Sequence, residues 1–363
     1  MKRTPLLLAS LLLIVFAAGC TGSQFVASSG WSGVAIGSDL VYAGARSGRM
    51  LALDVRNGEQ RAAFPPEGQD PLLGLYGTPA LANGVLYVTG YDGRVYALAP
   101  SDLSLKWRYP SDESKTQKSV GGVAVAKGLV VYGSDDGNVR ALDASTGQKA
   151  WEFKTGKAVW STPVVDGDTV YVGSLDHKLY ALSLQDGKPR WAAPFQADGA
   201  IVSPALVTKG MVIFGSFDRR LYAVDAGTGR ERWHFQGDSW IWGSPVTNGL
   251  RVFAVSTKGA VHAIDINTGS GLWKFDLGST AISSPALVGS NLVVASDGGI
   301  IYVLAPDTGA QVSNYNVGAE VQAPLTTDGQ VVYVNAMDKR VWAIRMAPRQ
   351  EKVWETNTEP KKK

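Results

Sequence analysis

Side chains able to do chemistry are sparse in this chain of 363 residues, and their spacing keeps them apart. The three histidines fall at different places in a repeating pattern: His177 in a turn, His234 after a tryptophan, His262 in a strand. Metal binding and acid–base catalysis need such groups to converge, and no ligand spacing links these three. Carboxylates are frequent, and many are aspartates of Asp-Gly and similar turns, where they serve local hydrogen bonding. Glycine-rich turns follow one strand and precede another, whereas a phosphate-binding loop opens a helix. The single cysteine, Cys20, excludes an intrachain disulfide and a cysteine metal site. No catalytic residue, metal or cofactor is therefore expected.

What the residue types do allow is recognition by aromatic side chains set beside cations. Three positions before the proline of Ser/Thr-Pro, or its equivalent, stand Trp31, Tyr76, Val120, Trp160, Ile201, Trp242, Ile282 and Val321. A turn farther along the units supplies Arg94, Lys178, Arg219, Arg220, Lys258, Lys339 and Arg340. From these, Tyr76, Trp160, Trp242, Arg94, Lys178, Arg219, Arg220 and Arg340 form the candidate partner- or ligand-binding face. A peptide segment, a glycan or an anionic ligand would suit it. The competing role is structural, with the aromatics plugging a channel or packing between repeats and the charges merely solvated.

The positions recur because the chain repeats itself eight times, with a step of about 42 residues. An aromatic after the second apolar run marks the register at Tyr42, Tyr87, Tyr132, Tyr171, Phe214, Phe253 and Tyr333, with Ala295 in copy seven. Each unit breaks into four short apolar runs; in copy four they are residues 162–165, 169–172, 178–182 and 189–191. Runs this short, rich in Val, Tyr and Ile and bounded by Gly and Asp, read as strands joined by hairpin turns. Units of this size cannot bury a hydrophobic face alone and must stack or close. The expected fold is all-β: an eight-bladed β-propeller of four-stranded antiparallel blades. A linear β-solenoid would use much shorter repeats.

Each unit ends on its most specific portion, Ala-x-Asp-x-x-Thr-Gly-x-x-x-Trp. Copy three has Ala141, Asp143, Thr146, Gly147 and Trp151; copies five and six repeat it, ending at Trp233 and Trp273. Thr-Gly makes a tight turn, with glycine free to take positive φ. The tryptophan, on the outermost strand, can lie between its own blade and the next. Burying 150–250 Å² of ring at ~25 cal/mol/Å² contributes at most about 4–6 kcal/mol per blade. Copy one ends in Ala62 and Phe64, copy two keeps Trp107 after Asp102-Leu103, and copy seven has Ser313. Copy eight has lost the turn, and its Trp354 sits one residue from the expected place. Closure between copies eight and one is thus expected to be less regular, with Phe25-Val26 a candidate extra strand there. The motif resembles the tryptophan-docking motif of the quinoprotein-type (PQQ-like) propeller family over essentially the whole mature chain. Its quinone-dependent dehydrogenases are much longer. Alcohol-type members carry neighbouring cysteines and a Glu/Asn/Asp calcium site that this sequence does not match, so that activity is the least favoured.

Residues 1–19 read as a removable leader: Lys2 and Arg3, an apolar run over 6–16, then Ala17-Ala18-Gly19 before Cys20. The run is too short to span a membrane. It resembles a bacterial lipoprotein signal, which implies cleavage before Cys20 and acylation of that residue. Several acyl chains make such an anchor durable, at ~0.8 kcal/mol per buried CH₂. Thr21 after the cysteine favours an outer membrane where there are two; otherwise the protein would stand on the cell surface. Residues 20–30 then form a tether, 31–356 the propeller and 357–363 a basic tail. Lys and Arg outnumber Asp and Glu by only 35 to 32, so a nucleic-acid partner is not expected. An acylated cysteine, a short tether and eight such blades resemble the accessory lipoproteins of the outer-membrane β-barrel assembly machinery. That implies a non-catalytic scaffold docking on protein partners, the barrel insertase and other lipoproteins of the complex, with no partner-binding residue carried over. The alternative is a cell-surface sensor or glycan-binding propeller.

Overall fold

Strands form where β-branched and aromatic residues run for four to six positions, and each ends at a turn whose glycine, asparagine or aspartate breaks the run. The computed structural model describes residues 30–111, 116–346 and 349–359. Within them lie eight antiparallel sheets, each built from four strands consecutive in sequence, and no helix. Blade one runs from Val34 to Phe64 and blade eight from Thr326 to Asn357. The second and third strands are buried on both faces, while the outermost strand alternates exposed and covered residues.

The hydrophobic core is not central. It is divided into eight clusters, each sandwiched between two neighbouring blades. Six of these contacts share one lock. The indole N–H of Trp107, Trp151, Trp191, Trp233, Trp273 and Trp354 donates to the carbonyl of Ala144, Leu184, Ala226, Ile266, Pro306 and Val55 in the next blade, at 2.7–3.0 Å. The ring lies over that blade's turn glycine. At Gly147, Gly187, Gly229, Gly269, Gly309 and Gly58, φ is +70 to +73° and a Cβ would fall 2.6–2.8 Å from the indole. Glycine is thus required twice, by the backbone and by the ring. Blade one, with Ala62, substitutes the hydroxyl of Tyr42, which donates to the Pro100 carbonyl at 3.0 Å.

Nearer the axis, the first strands are laced by small hydroxyl side chains. Ser32, Ser161, Ser203 and Ser283 donate to the Gly77, Ser203, Gly243 and Ala323 carbonyls of the following blade at 2.7–3.2 Å. These serines are buried, so each bond also satisfies a hydroxyl that would otherwise be costly to enclose.

Three sequence expectations change. Closure between blades eight and one is regular. Blade eight's turn is one residue longer, yet Ala343 still pairs with Trp354 as Ala263 pairs with Trp273, beside the same bulge in both blades. Asn335 further donates to the Ser32 and Gly44 carbonyls at 3.0 and 2.8 Å. Phe25-Val26 lies outside the described residues. The aromatic register mark also splits in two. Tyr42, Tyr87, Tyr171, Phe253 and Tyr333 pair with the alanine that precedes the docking position. In blades three and five that place belongs to Val131 and Ile213, and in blade seven to Val293 rather than Ala295. Tyr132 and Phe214 stand one residue later, which in a strand means the opposite face, and pack back onto the preceding blade. Finally, the fourth strand of blade four is Phe195–Gln196, preceded by a lone Leu182–Pro189 bridge. Pro189 and Pro194 lack the N–H that a longer ladder needs.

The Asp of the docking motif organises its turn. The Oδ1 of Asp143, Asp225 and Asp265 each accepts from the backbone and hydroxyl of the threonine three residues on, at 2.8–3.1 Å. The hydroxyl of Ser145 leads in holding Asp143 down to about 2, and the Arg232 guanidinium leads in holding Asp225 down to about 2. Asp265 is lowered first by the Thr268 backbone N–H.

Two outcomes follow. Trp233→Ala should cost about 3–5 kcal/mol in urea unfolding, and Trp233→Phe about 1–2 kcal/mol through the orphaned Ile266 carbonyl. Gly269→Ala should cost more than the ~1–2 kcal/mol of left-handed strain, because its Cβ meets the ring. A Trp233→Ala loss below about 1 kcal/mol would refute the lock. In acid, carboxyls depressed in the fold stabilise it above their unfolded value of 3.8, and that contribution is lost as pH falls toward about 2. Melting temperature should therefore drop between pH 4 and 2, and the Asp143→Asn, Asp225→Asn, Asp265→Asn triple variant should show a shallower drop.

Candidate functional site: an aromatic mouth

Every segment that leads from the outer strand of one blade to the inner strand of the next crosses the same face of the ring. Strand alternation splits its last residues. One side chain, such as Leu75, Val159, Ile241 or Ala281, turns between blades and is essentially inaccessible. The next turns to the axis. The mouth so formed is lined by Trp31, Tyr76, Val120, Trp160, Val202, Trp242, Ile282 and Gln322. Ile201 and Val321, expected there from their distance to proline, are instead fully buried between blades. Their prolines, Pro204 and Pro324, come one residue earlier than Pro163 or Pro245 do. Counting three back from proline therefore selects the residue of the wrong parity.

Outside this ring stands a second, formed by the first residue of each turn between second and third strands. The backbone N–H of Tyr91, Asp135, Phe217 and Asp297 donates to the carbonyl of Gly74, Lys118, Ala200 and Thr280 in the crossing segments, at 2.8–2.9 Å. Two aromatic clusters result, on opposite sides of the axis at blades two and six. In one, Trp31 meets Tyr76 edge-on at 4.6 Å, Tyr76 meets Tyr91 at 4.9 Å, and the Lys118 ammonium sits 4.8 Å above the Tyr91 ring. In the other, Phe217 stacks on Trp240 at 4.7 Å and 13° and lies 5.4 Å from Trp242. Trp240 stays 36% exposed. Between the clusters, the Trp160 N–H donates to Asp135 Oδ1 at 2.6 Å. Burial raises the Asp135 carboxyl above its usual range, against the opposing pull of Trp160 and Lys118. Burial likewise raises Asp297, whose Oδ2 accepts from Thr280 at 2.6 Å.

The structure thus brings Tyr76, Trp160 and Trp242 together and leaves the candidate cations out of the lining. Arg94, Lys178, Arg220 and Arg340 begin or adjoin third strands, which lie farther from the axis. Arg94 is 3.6 Å from Asp92. Arg220 pairs with Asp198 at 2.8 Å. Arg340 bonds Asp338 and stands 4.9 Å over the Trp342 ring. The Lys178 amide donates to Asp176. Arg219 holds φ +74° in a turn position where His177 and Lys339 do likewise and five blades use glycine. Tyr91, Phe217, Trp240, Lys118 and Asp135 escaped the sequence reading. One signal was available: the crossing segments 65–79 and 110–122 are longer than the nine residues of 155–163, 237–245 or 277–285. Both border the Tyr76–Tyr91–Lys118 cluster, and long loops on a rigid scaffold are where binding concentrates. Arg49 holds the first of them through the Pro66 and Gln69 carbonyls at 2.8 and 2.6 Å.

The hollow at the mouth is about 90 Å³, whereas pockets that engulf a ligand reach roughly 300–1,000 Å³. Its lining carries no charged side chain. Among the described residues no three His, Cys, Asp or Glu side chains converge. His262 is buried against Asp238 at 3.4 Å, in the place where Tyr180 and Tyr222 bond their turn aspartates, and burial holds its imidazole below the usual range. His234 is exposed beside Glu231. These residues do not fit a carboxylate-bearing quinone or its metal ion. They fit contact across a surface.

A family model described as outer membrane protein assembly factor BamB matches residues 135–248, 235–291 and 257–363. An outer membrane protein assembly factor BamB of Nitrosomonas eutropha is 37% identical over 114 residues, 31% of this chain and 27% of that protein. The quinohemoprotein alcohol dehydrogenase ADH-IIG of Pseudomonas putida is 38% identical over 89 residues, 23% of this chain and 12% of that enzyme. The chain thus aligns with well under half the length of either curated relative. The crystal structure of BamB from Moraxella catarrhalis superposes with a TM-score of 0.74 at 19% identity, covering 88% of this chain and 95% of that one. At that identity the likeness shows the fold alone.

The Trp160–Asp135 bond gives the mouth an optical readout. Because the carboxyl is raised, Trp160 emission should titrate at a pH above 3.8. Asp135→Asn should remove the transition, and so should Trp160→Phe. A transition that persists in Asp135→Asn would place its origin elsewhere.

Proposed function

The chain belongs to the family described as outer membrane protein assembly factor BamB, and from that membership we propose a membrane-anchored, non-catalytic scaffold that binds protein partners in outer-membrane β-barrel assembly and insertion. The observation that carries this reading is the mouth: two aromatic clusters on a rigid ring around a shallow hollow whose lining has no charged side chain. Partially exposed aromatics held on fixed backbone bind with little ordering cost and dominate interface energetics. In this proposal the barrel insertase and the other lipoproteins of its complex are the partners of this face. The anchor in this reading is Cys20, acylated after removal of residues 1–19; both lie outside the described residues. In a bacterium with two membranes the protein would then sit on the periplasmic face of the outer membrane.

The dehydrogenase likeness does not extend this proposal. It covers 12% of that enzyme, and the mouth lacks the groups such chemistry needs.

The test is a paired measurement of binding and stability. Trp240→Ser with Trp242→Ser should weaken capture of purified barrel insertase by about 30-fold, the effect of losing one hot spot near 2 kcal/mol. Melting temperature should change by only a few degrees, since Trp240 is partly exposed. A collapse in melting temperature would make the aromatics packing elements. Recovery of only solute-binding or sugar-processing proteins by the acylated, tagged chain from membranes would favour a surface sensor instead.

A further inference from the structure

The path by which the chain enters the ring restricts which way the ring can face. Gly30, the first described residue, is buried on the mouth face, its backbone so close to Leu75 that a Cβ would stand 1.9 Å from the Leu75 carbonyl oxygen. Trp31 follows at the mouth itself. Whatever precedes residue 30 therefore leaves from the inner edge of that face. Ten chain steps lead from Cys20 to Gly30, and at 3.3–3.6 Å each they reach at most about 35 Å.

Compare that reach with the detour to the other face. Crossing a blade from innermost to outermost strand covers three spacings of ~4.8 Å, about 15 Å. Descending a strand of five or six residues at ~3.3 Å adds about 17–20 Å before any turn is cleared. The sum already consumes the whole reach. An anchor at residue 20 can draw the mouth face toward a membrane, and it cannot bring the opposite face against one.

Resting on the Cys20 anchor of the proposed function, we propose that the aromatic mouth is held facing the membrane in which the chain is anchored. Its occupant is then a protein embedded in that same membrane, whose water-exposed part lies within about 35 Å of the bilayer. Charge argues for protein over lipid. Recognition of anionic headgroups uses clusters of Lys and Arg, whereas the mouth lining has no charged side chain and the bordering Lys118 has the Asp135 carboxyl close by. The apolar side chains left in water on this face, Leu73 at 46% and Trp240 at 36% exposure, suit a protein surface.

The geometry is tested with two dyes on one blade of the full acylated chain in vesicles bearing an acceptor on the lipid headgroup. Lys258→Cys labels an exposed turn on the mouth face, and Asn267→Cys an exposed turn on the opposite face. The strand Ala260–Asp265 separates them. Energy transfer should be about twofold higher from residue 258, given about 20 Å between the labels. A 30-residue spacer inserted after Thr21 should erase the difference. Equal or greater transfer from residue 267 without the spacer overturns the orientation. Repeating the pair with a hexahistidine segment at residue 20 on nickel-chelating vesicles separates the two ideas. If only this version shows the difference, the acyl anchor is wrong and the geometry stands. For the occupant, a photoreactive benzoylphenylalanine in place of Trp240 should crosslink in cells to a protein that stays in the membrane after alkaline washing. Adducts with lipid alone, or with soluble proteins alone, would overturn that assignment.

Discussion

Everything in this molecule depends on the contact between the outermost strand of one blade and the turn of the next. No blade has a core of its own; each of the eight apolar clusters belongs to two neighbours. An indole that lies over a positive-φ glycine and donates to the adjoining carbonyl sets the distance and angle between blades. That contact recurs six times, with a tyrosine hydroxyl taking its hydrogen bond once, so the ring is a chain of nearest-neighbour terms. Because the ends of the chain meet through the same contact, Trp354 on Val55, the ring closes without sharing a strand between its first and last blades.

This arrangement makes the mouth possible. Locks at the rim and serine bonds near the axis hold the inner strands, so side chains at their start have no packing task left. Parity then sends one residue of each pair into the blade interface and the next to the axis, and sequence can vary at the second without unbuilding the first. Val202 and Gln322 stand where other blades place tryptophan or tyrosine, and the ring is no less regular there. The aromatics concentrate instead at blades two and six, beside the two long crossing segments in the first case and a stacked Phe217–Trp240 pair in the second. The face that gathers them is also the face at which the chain enters.

A recognition surface of the kind proposed here for the mouth needs stiffness more than depth. A hollow of about 90 Å³ cannot enclose a cofactor, but a ring of partly exposed aromatics on fixed strands presents contact area that binding need not first order. The cations once expected to border them do other work. Arg220 ties Asp198 of a crossing segment to Gln236 of an outer strand, Arg340 ties the turn aspartate Asp338 to Glu355 of an outer strand, and Arg219 occupies a left-handed turn position.

The eight-fold period, the four strands per unit and the docking motif were all legible from residue types and spacing, because turns and alternation are local properties. Tyr76, Trp160 and Trp242 could be assigned to the mouth for the same reason: each sits a constant distance from a recurring proline. Where spacing slipped by one, at Pro204 and Pro324, the same rule pointed to Ile201 and Val321, which a two-residue period turns into the interior. Tyr132 and Phe214 misled in the same way. The partners of the mouth residues were beyond reach of any local rule. Asp135 meets Trp160, and Phe217 meets Trp240 and Trp242, only because adjacent blades dock at a set angle. Sequence by itself determined how many blades there are and how each is built; the closure of the ring decided which side chains from different blades touch, since those contacts cross interfaces that no single repeat contains.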